Sequence, residues 1–240
     1  MMPAIETLLF DFGGTLDADG VAWQPRFHAH YRAEGLALTP AELAPLFHAA
    51  DDALIGALPR EADLGATVER LAANLEVELA RLAGAEAVDR TRGRRVAARF
   101  LAEAEAAFAR NRRHLEALRE RFRLGIVSNF YGNLEAVCRG AGLAQHFDVI
   151  VDSHRVGARK PDPAIFRAAL APLAARPETT VMIGDSLSRD CEGARRLGMG
   201  FVWLTPRARR DVGEQGEMAV TRLAELQEIL DGRLEGMPHP

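Results

Sequence analysis

The stretch that decides the fold is Ile5-Glu6-Thr7-Leu8-Leu9-Phe10-Asp11-Phe12-Gly13-Gly14-Thr15. A short apolar run here ends in an aspartate and a pair of glycines. This pattern is typical of a buried β-strand that gives way to a loop. We therefore expect the polar groups of the loop to lie at the carboxyl end of the strand.

Similar apolar runs recur later, at residues 124–127, 147–151, 180–183 and 201–204, and helix-patterned segments separate them. Strands that alternate with helices favour a mostly parallel sheet with crossover helices. The sequence therefore predicts an α/β fold with a Rossmann-like parallel-sheet core and helices on both faces. A chain of 240 residues is long enough for such a core and one inserted module.

The pattern changes between about residues 21 and 113, where Ala, Leu, Glu and Arg recur at helical period. Thr39-Pro40-Ala41-Glu42 is a helix start signal, with Thr39 as N-cap and Glu42 closing a capping box. We expect Pro59 and the regions of Gly65 and Gly84 to separate the helices. The predicted division is an α/β core of residues 1–17 and 114–240 with an inserted all-helical cap of residues 18–113, and we expect fraying after residue 232.

Composition and charge are typical of a soluble globular protein, with 48% hydrophobic residues, 27% charged residues and a net charge of -4. The longest apolar runs fall short of the ~18 residues of a membrane span, so we expect no membrane partner. A mildly acidic chain lacks the clustered positive charge that binds nucleic acid. Two cysteines and an N-terminal segment without secretory features favour a reducing cytoplasm. A monomer and a homodimer both remain open.

Four polar clusters follow predicted strands or open helices: Asp11 to Thr15, Ser128-Asn129, Lys160-Pro161, and Gly184-Asp185-Ser186 with Asp190. The carboxyl ends of parallel strands converge on one crevice. That crevice would hold three carboxylates, one ammonium, hydroxyls and loop amides. Such a set suits a phosphate dianion bridged by Mg²⁺, which binds carboxylates, substrate oxygens and water.

Taken together, the four clusters resemble those of the haloacid dehalogenase-like (HAD) hydrolase superfamily, in the subgroup with a helical cap inserted after the first motif. The resemblance covers nearly the whole chain, in the expected order and spacing. It implies that Asp11 attacks phosphorus and forms an aspartyl-phosphate. It also implies a Mg²⁺ site made by Asp11, the Gly13 carbonyl and Asp185, with Asp190 as a further ligand or as the partner that orients one. We favour Asp185 as the direct ligand.

The same resemblance gives roles to the remaining motif residues. Thr15 and the loop amides near Gly14 would shape the turn and cradle phosphate. Ser128 and the Asn129 backbone N–H match the family's phosphate clamp, although Ser128 could instead cap a helix. Lys160 would neutralise the nucleophile and the transferring phosphoryl group. It is the one lysine among 30 basic residues, the other 29 being arginine, and an ammonium is not interchangeable with a guanidinium in a tight site.

The chain departs from the family at Gly13. Most phosphatases of the superfamily carry there a second aspartate that acts as general acid and base, a role worth typically about 10²–10⁴-fold. Asp17 and Asp19 could each deliver the proton after cap closure, but two exposed loop carboxylates are the more ordinary interpretation. In the cap, the candidates for contact with the rest of the substrate are Trp23, Arg26, His28, His30, Tyr31, His48 and Arg60.

The leading hypothesis is therefore a Mg²⁺-dependent phosphomonoester hydrolase (phosphatase) that acts on a small phosphorylated metabolite. One alternative is a phosphate-binding protein that hydrolyses weakly because of Gly13. Another is a 2-haloacid dehalogenase, which shares Asp11 and Ser128-Asn129 but usually carries an aromatic residue at the position of Gly13 and needs no metal. The pair of Asp185 and Asp190 favours the metal-dependent enzyme over the dehalogenase.

Overall fold

A computed structural model describes residues 4–84, 88–206 and 218–232. Within them, six strands form one parallel sheet in the order β3-β2-β1-β4-β5-β6. The strands are β1 Thr7–Phe10, β2 Arg123–Ser128, β3 Val149–Asp152, β4 Thr180–Gly184, β5 Gly200–Leu204 and β6 Met218–Val220. β1 is central because it pairs on one side with β2 and on the other with β4.

Alternate residues of the central strand face opposite sides of the sheet, as the two-residue period of a strand requires. Leu8 and Phe10 belong to one buried cluster, and Leu9 belongs to the other. All three side chains are fully buried. Both faces of the sheet are therefore covered, which explains why three consecutive residues of β1 are apolar.

The described part of the core contains five α-helices, and four of them pack on these two faces. The five helices are α5 Leu134–Gly140, α6 Ser153–Val156, α7 Pro163–Leu170, α8 Glu192–Leu197 and α9 Leu226–Gly232. Apolar residues of α5 and α9 pack in the cluster of Leu8, whereas those of α7 and α8 pack in the cluster of Leu9. The predicted Rossmann-like core with helices on both faces is confirmed.

Between β1 and β2 the chain forms four helices, which we call the helical insertion: α1 Trp23–Ala33, α2 Pro40–Asp52, α3 Leu64–Ala83 and α4 Arg90–Arg119. The predicted capping box is present, since Thr39 Oγ1 accepts from Glu42 N and Thr39 N donates to Glu42 Oε2 at 2.8 Å. Gly84 ends α3 in a left-handed conformation, as expected. Gly65 does not separate two helices: it lies in the first turn of α3, because Asp63 caps that helix.

Helix α4 runs without a break across residue 113, where the sequence predicts the boundary between cap and core. The exact division into domains therefore stays a prediction. Strand β6 and helix α9 were not expected from the apolar runs, and the tail after residue 232 lies outside the described residues. Among the helices described, none is both long and apolar enough to cross a membrane.

Candidate active site

The predicted motifs meet at the carboxyl edge of the sheet. Asp11 follows β1, Ser128 ends β2, and Asp185 follows β4. A cavity of about 230 Å³ lies at this edge, and Asp11, Ser128 and Lys160 line it together with Gly13 and Asn129. Five predicted site residues from three separate stretches of sequence thus share one cavity.

The carboxylate of Asp11 is buried and firmly held. Its Oδ1 accepts hydrogen bonds from Phe12 N and Ser128 Oγ, each at 2.7 Å. Lys160 Nζ lies 2.7 Å from the same oxygen. Among the contacts described for Asp11, these three donors all engage Oδ1, so Oδ2 is the oxygen available to attack a substrate or to bind a cation. Charge-assisted hydrogen bonds of this kind fix a side chain strongly.

Lys160 bridges two carboxylates inside the protein. Its Nζ lies 2.7 Å from Asp11 Oδ1 and 2.7 Å from Asp190 Oδ1, and the residue is only 4% exposed. Burial alone would lower the pKa of Lys160, but the attraction of Asp11 and Asp190 outweighs it and the pKa is raised. The amine is therefore an ammonium that offsets the negative charge of the cluster.

Asn129 has a role that the motif did not reveal. Lys160 N donates to Asn129 Oδ1 at 2.8 Å, and Asn129 Nδ2 donates to the Lys160 carbonyl at 3.2 Å. These two bonds join the loop after β2 to the loop that carries the lysine. The Asn129 side chain therefore positions Lys160, in addition to the phosphate contact predicted for its backbone N–H.

Three carboxylates form a cluster beside the ammonium. One oxygen each of Asp11, Asp185 and Asp190 lies within 4.8 Å of the others. Burial, followed by repulsion from the two neighbouring carboxylates, raises the pKa of Asp185 to about 8. Burial also raises the pKa of Asp190, to about 6, although Lys160 opposes the shift. Such crowding of like charges favours either bound protons or a bound cation.

The oxygens of this cluster differ in what they already contact. Asp190 has Oδ1 beside Lys160 and accepts from Ser186 N on Oδ2 at 3.1 Å. Asp185 Oδ1 is buried, and it has no hydrogen-bond partner in the part of the chain described. A buried carboxylate oxygen without a partner is costly, and a hard cation would relieve that cost. The donor set fits Mg²⁺, with Asp185 better placed than Asp190 to bind it directly.

Gly14 allows the loop after β1 to approach the carboxylate cluster. Its φ is +85°, and a Cβ added there would lie 2.5 Å from Asp185 Oδ2. Its N–H donates to Asp17 Oδ1 at 2.6 Å, so that amide is already engaged. Thr15 Oγ1 is buried without a hydrogen-bond partner among the described residues, and neither residue lines the cavity. The phosphate contacts of Gly14 and Thr15 stay predictions without support from this geometry.

Asp17 is fully buried, so the expectation of an exposed loop carboxylate is wrong for this residue. It accepts hydrogen bonds from Trp23 Nε1 at 2.7 Å and from Arg26 Nη1 at 2.8 Å, besides that from Gly14. Burial raises the pKa of Asp17, and the charge of Arg26 partly opposes the shift. Asp19 instead forms an ion pair with Arg110 at 2.9 Å at the surface.

The helical insertion contributes Trp23 and His48 to the cavity, as two of its predicted candidates. The other candidates are engaged elsewhere. His28 bonds to the Leu38 carbonyl, His30 lies beside Glu103, Tyr31 packs inside the insertion, and Arg60 lies 3.8 Å from Glu135. Helical period placed these side chains near the hinge but could not tell which of them point inward.

Several residues that line the cavity were not singled out in the sequence. They are Ala22, Gln24, Phe47, Asp51, Ile55, Phe130, Tyr131, Arg159 and Arg189. Position relative to the motifs could have identified three of them, because Phe130 and Tyr131 follow Asn129 directly and Arg159 precedes Lys160. The end of α2 reaches the site only through the packing of the insertion, and Tyr131 Oη donates there to Asp51 Oδ1.

A parallel α/β core, a helical insertion after the first strand and an aspartate–lysine cluster at the sheet edge are the parts of a capped hydrolase. A sequence model of the haloacid dehalogenase-like hydrolase family matches residues 5–198. The chain belongs to this family, and the predicted superfamily and hydrolase class are confirmed.

Curated relatives of the chain include phosphatases. The phosphoserine phosphatase of Thermus thermophilus is 37% identical over 131 residues, which are 50% of this chain and 51% of that protein. The pyrimidine 5'-nucleotidase YjjG of Escherichia coli is 32% identical over 120 residues, 48% of this chain and 53% of that protein. The chain thus spans about half of the length of these relatives.

Solved structures show the same fold over nearly the whole chain. The HAD-hydrolase YfnB from Bacillus subtilis, bound to magnesium, has a TM-score of 0.59 at 22% identity, with 95% of this chain and 100% of that chain covered. A dehalogenase has a TM-score of 0.62 at 18% identity, with 95% and 98% covered. The fold alone therefore does not separate a dehalogenase from other hydrolases of this fold.

Proposed function

We propose that this protein is a Mg²⁺-dependent phosphomonoester hydrolase that acts on a small phosphorylated metabolite through an aspartyl-phosphate on Asp11. The observation that carries the proposal is the environment of Asp11. Three donors engage its Oδ1 while the carboxylates of Asp185 and Asp190 lie within 4.8 Å. The phosphatases among the curated relatives support the choice of a phosphoryl substrate.

In this mechanism the Asp11 carboxylate attacks phosphorus, and Ser128 and Lys160 orient it for the attack. Ser128 Oγ and the Lys160 ammonium would also contact phosphoryl oxygens, on which negative charge is spread in the transition state. Mg²⁺, held by Asp11, Asp185 and the Gly13 carbonyl, would neutralise phosphoryl charge. Asp190 holds the Lys160 ammonium in place beside Asp11, because Nζ lies between the Asp11 and Asp190 carboxylates. Water then hydrolyses the aspartyl-phosphate and restores Asp11.

The cavity is large enough for a small substrate rather than a folded phosphoprotein, since its volume is about 230 Å³. Residues of the helical insertion form its outer wall, which suits a site that closes over its ligand. The named substrates of the relatives, phosphoserine and pyrimidine nucleotides, are small phosphoesters as well. This supports a soluble phosphometabolite as the substrate.

The test is turnover of p-nitrophenyl phosphate and a phosphometabolite panel, with and without Mg²⁺. We expect metal-dependent turnover by the wild type and its loss in Asp11→Asn. Glu105→Gln is the control, because Glu105 is an exposed carboxylate of α4 outside the lining of the cavity. Metal-independent turnover, or an Asp11→Asn variant as active as the wild type, would disprove the proposal.

A second candidate function has a specific observation in its favour. Position 13 carries no side chain, and Asp17 is buried among three donors, so a usual source of the catalytic proton is missing. The protein would then bind phosphate or a phosphometabolite and hydrolyse it only weakly. Calorimetric binding of a panel member without its turnover would favour this function. The dehalogenase alternative is less favoured, since it does not need the carboxylate cluster.

A further inference from the structure

Trp23 lies directly over Gly13. A Cβ added to Gly13 would lie 3.1 Å from Trp23 Nε1, 3.5 Å from Cδ1 and 3.7 Å from Cε2. The first of these distances is tighter than an ordinary contact, so a side chain at position 13 would require the indole to shift by a few tenths of an ångström. The indole therefore crowds the space into which a side chain at position 13 would grow.

The indole is also held firmly in this place. Trp23 is only 7% exposed, and its Nε1 donates to the buried Asp17 carboxylate at 2.7 Å. Its ring packs edge-on against Phe100 and Phe130, at centroid distances of 5.1 and 6.0 Å. A shift of the ring would break these contacts and leave a buried carboxylate oxygen with one donor fewer. These contacts hold the indole ring in its place beside Gly13.

The other acids near the cavity are committed to partners. Asp17 is fully buried and accepts three hydrogen bonds. Lys160 is held as an ammonium between two carboxylates. Tyr131 donates its hydroxyl hydrogen to Asp51 at the outer wall, which makes Asp51 an acceptor. Of the described residues that line the cavity, His48 is left as a proton carrier, and it lies on the exposed surface of α2.

We infer that this protein prefers phosphates whose leaving group departs as a weakly basic anion, namely aryl phosphates among the monoesters and, beyond the monoesters, acyl phosphates, and that Trp23 over Gly13 sets this preference. The inference rests on the proposed phosphoryl transfer to Asp11. An alkoxide is strongly basic and needs a proton as its bond to phosphorus breaks, whereas a carboxylate or a phenolate does not.

The reaction balances without a general acid. The Asp11 carboxylate oxygen forms a bond to phosphorus, and the bond from phosphorus to the leaving oxygen breaks with its electron pair, releasing a carboxylate from an acyl phosphate. Water then attacks phosphorus, and the bond from phosphorus to the Asp11 oxygen breaks with its electron pair on that oxygen. This step regenerates the Asp11 carboxylate, and the proton that the water loses goes to the inorganic phosphate. Because an acyl phosphate and an aspartyl-phosphate are both mixed anhydrides, the first step exchanges one bond for another of the same kind.

The experiment compares kcat/KM of the Mg²⁺-loaded wild type for acetyl phosphate, a series of substituted phenyl phosphates and glycerol phosphate. General acid catalysis is worth about 10²–10⁴-fold, so we expect glycerol phosphate to be at least about 100-fold poorer than the activated substrates. The logarithm of kcat/KM should fall steeply as the pKa of the leaving phenol rises. A flat series, with glycerol phosphate as good as the aryl phosphates, would overturn the inference while leaving the proposed phosphatase intact.

A pair of variants tests the role of Trp23 itself. In Gly13→Asp/Trp23→Ala the indole no longer fills the space, so the new carboxyl can reach the leaving group. We expect at least about a 10-fold higher kcat/KM for glycerol phosphate than in Trp23→Ala, and little change for acetyl phosphate. An equal gain for both substrates would contradict the inference. Absence of Mg²⁺-dependent turnover across the whole wild-type series would instead reject the proposed function, and the inference with it.

The competing explanation is that a residue of the helical insertion, His48 or Asp51, donates the proton to the leaving group. If His48→Gln or Asp51→Asn lowers turnover of glycerol phosphate but not of acetyl phosphate, a group of the helical insertion supplies the proton and the inference is overturned. If each substitution changes the turnover of glycerol phosphate and of acetyl phosphate equally, the inference is supported, because His48 and Asp51 then contribute to substrate binding and not to proton transfer.

Discussion

Replacement of Asp185 by Asn should change how the stability of the metal-free protein depends on pH. Burial and the repulsion of Asp11 and Asp190 raise the pKa of Asp185 from 3.8 to about 8. The folded protein therefore keeps a proton on the carboxylate cluster at pH values where the unfolded chain has lost it. The resulting stabilisation is full below about pH 4 and is lost as the pH rises toward 8.

The magnitude follows from the proton that unfolding releases. Each pH unit between the folded-state and unfolded-state pKa values lowers the free energy of unfolding by about 1.4 kcal/mol per proton. From about pH 5 to pH 7 the loss is up to about 3 kcal/mol. This value counts the proton of Asp185 alone. Asp190, whose pKa is raised to about 6, loses its own proton over the same range and adds to the fall in stability of the wild type. An asparagine at position 185 carries no charge and does not lose this stability.

The assay is urea unfolding at about pH 5, 6 and 7 in the presence of a chelator. We expect the stability of Asp185→Asn relative to wild type to grow with pH, by up to about 3 kcal/mol over this range. Glu105→Gln, on an exposed face of α4, is the control and should show no such trend. Mg²⁺ at pH 7 should stabilise the wild type more than the variant, because a ligand that binds the folded state raises its stability. A pH-independent difference between wild type and Asp185→Asn would refute the reasoning.

Three further substitutions test other parts of the site. Gly14→Ala should weaken Mg²⁺ binding, measured by calorimetry, by about 10- to 100-fold, because its Cβ would lie 2.5 Å from Asp185 Oδ2. The control is Gly35→Ala, which has a φ of +87° and open space around it and should bind Mg²⁺ as the wild type does. Asp17→Asn should lower the free energy of unfolding by about 1–3 kcal/mol, since it removes the charged acceptor of Arg26 Nη1 and leaves Glu103 as the ion-pair partner of that guanidinium. A stability equal to that of the wild type in urea would contradict this. Lys160→Arg should lower kcat by at least about 10²-fold, because a guanidinium does not fit the space of the buried ammonium, and wild-type kcat would show that it does.

The fold and the centre of the site could be predicted because their signals are local. Asp11, Ser128 and Asp185 each follow an apolar run, and parallel strands bring their carboxyl ends to one edge. Strand β6, Met218–Val220, is apolar but has only three residues, fewer than the roughly four to eight of a run that predicts a strand. It could not be separated from a loop by its pattern.

The outer part of the site depends on tertiary packing that no local pattern records. Asp17 looks like an exposed loop acid in the sequence, yet Trp23 and Arg26 of α1 fold back onto it and bury it. Asp51 lies in the last turn of α2 and meets Tyr131 only because the helical insertion packs over the sheet edge. Likewise, the sequence does not show that a side chain at position 13 would meet Trp23, because that contact depends on where the indole ring packs.

The most direct test of the central claim is detection of the phosphoryl group on Asp11. The protein is mixed with Mg²⁺ and p-nitrophenyl phosphate, quenched in acid during turnover and mapped by mass spectrometry. We predict one phosphoryl group on the peptide that contains Asp11, labile to hydroxylamine as an acyl phosphate is, and absent from Asp11→Asn. Mg²⁺-dependent turnover without a phosphoryl group on that peptide, or with the group on another residue, would contradict the assignment of Asp11 as the nucleophile.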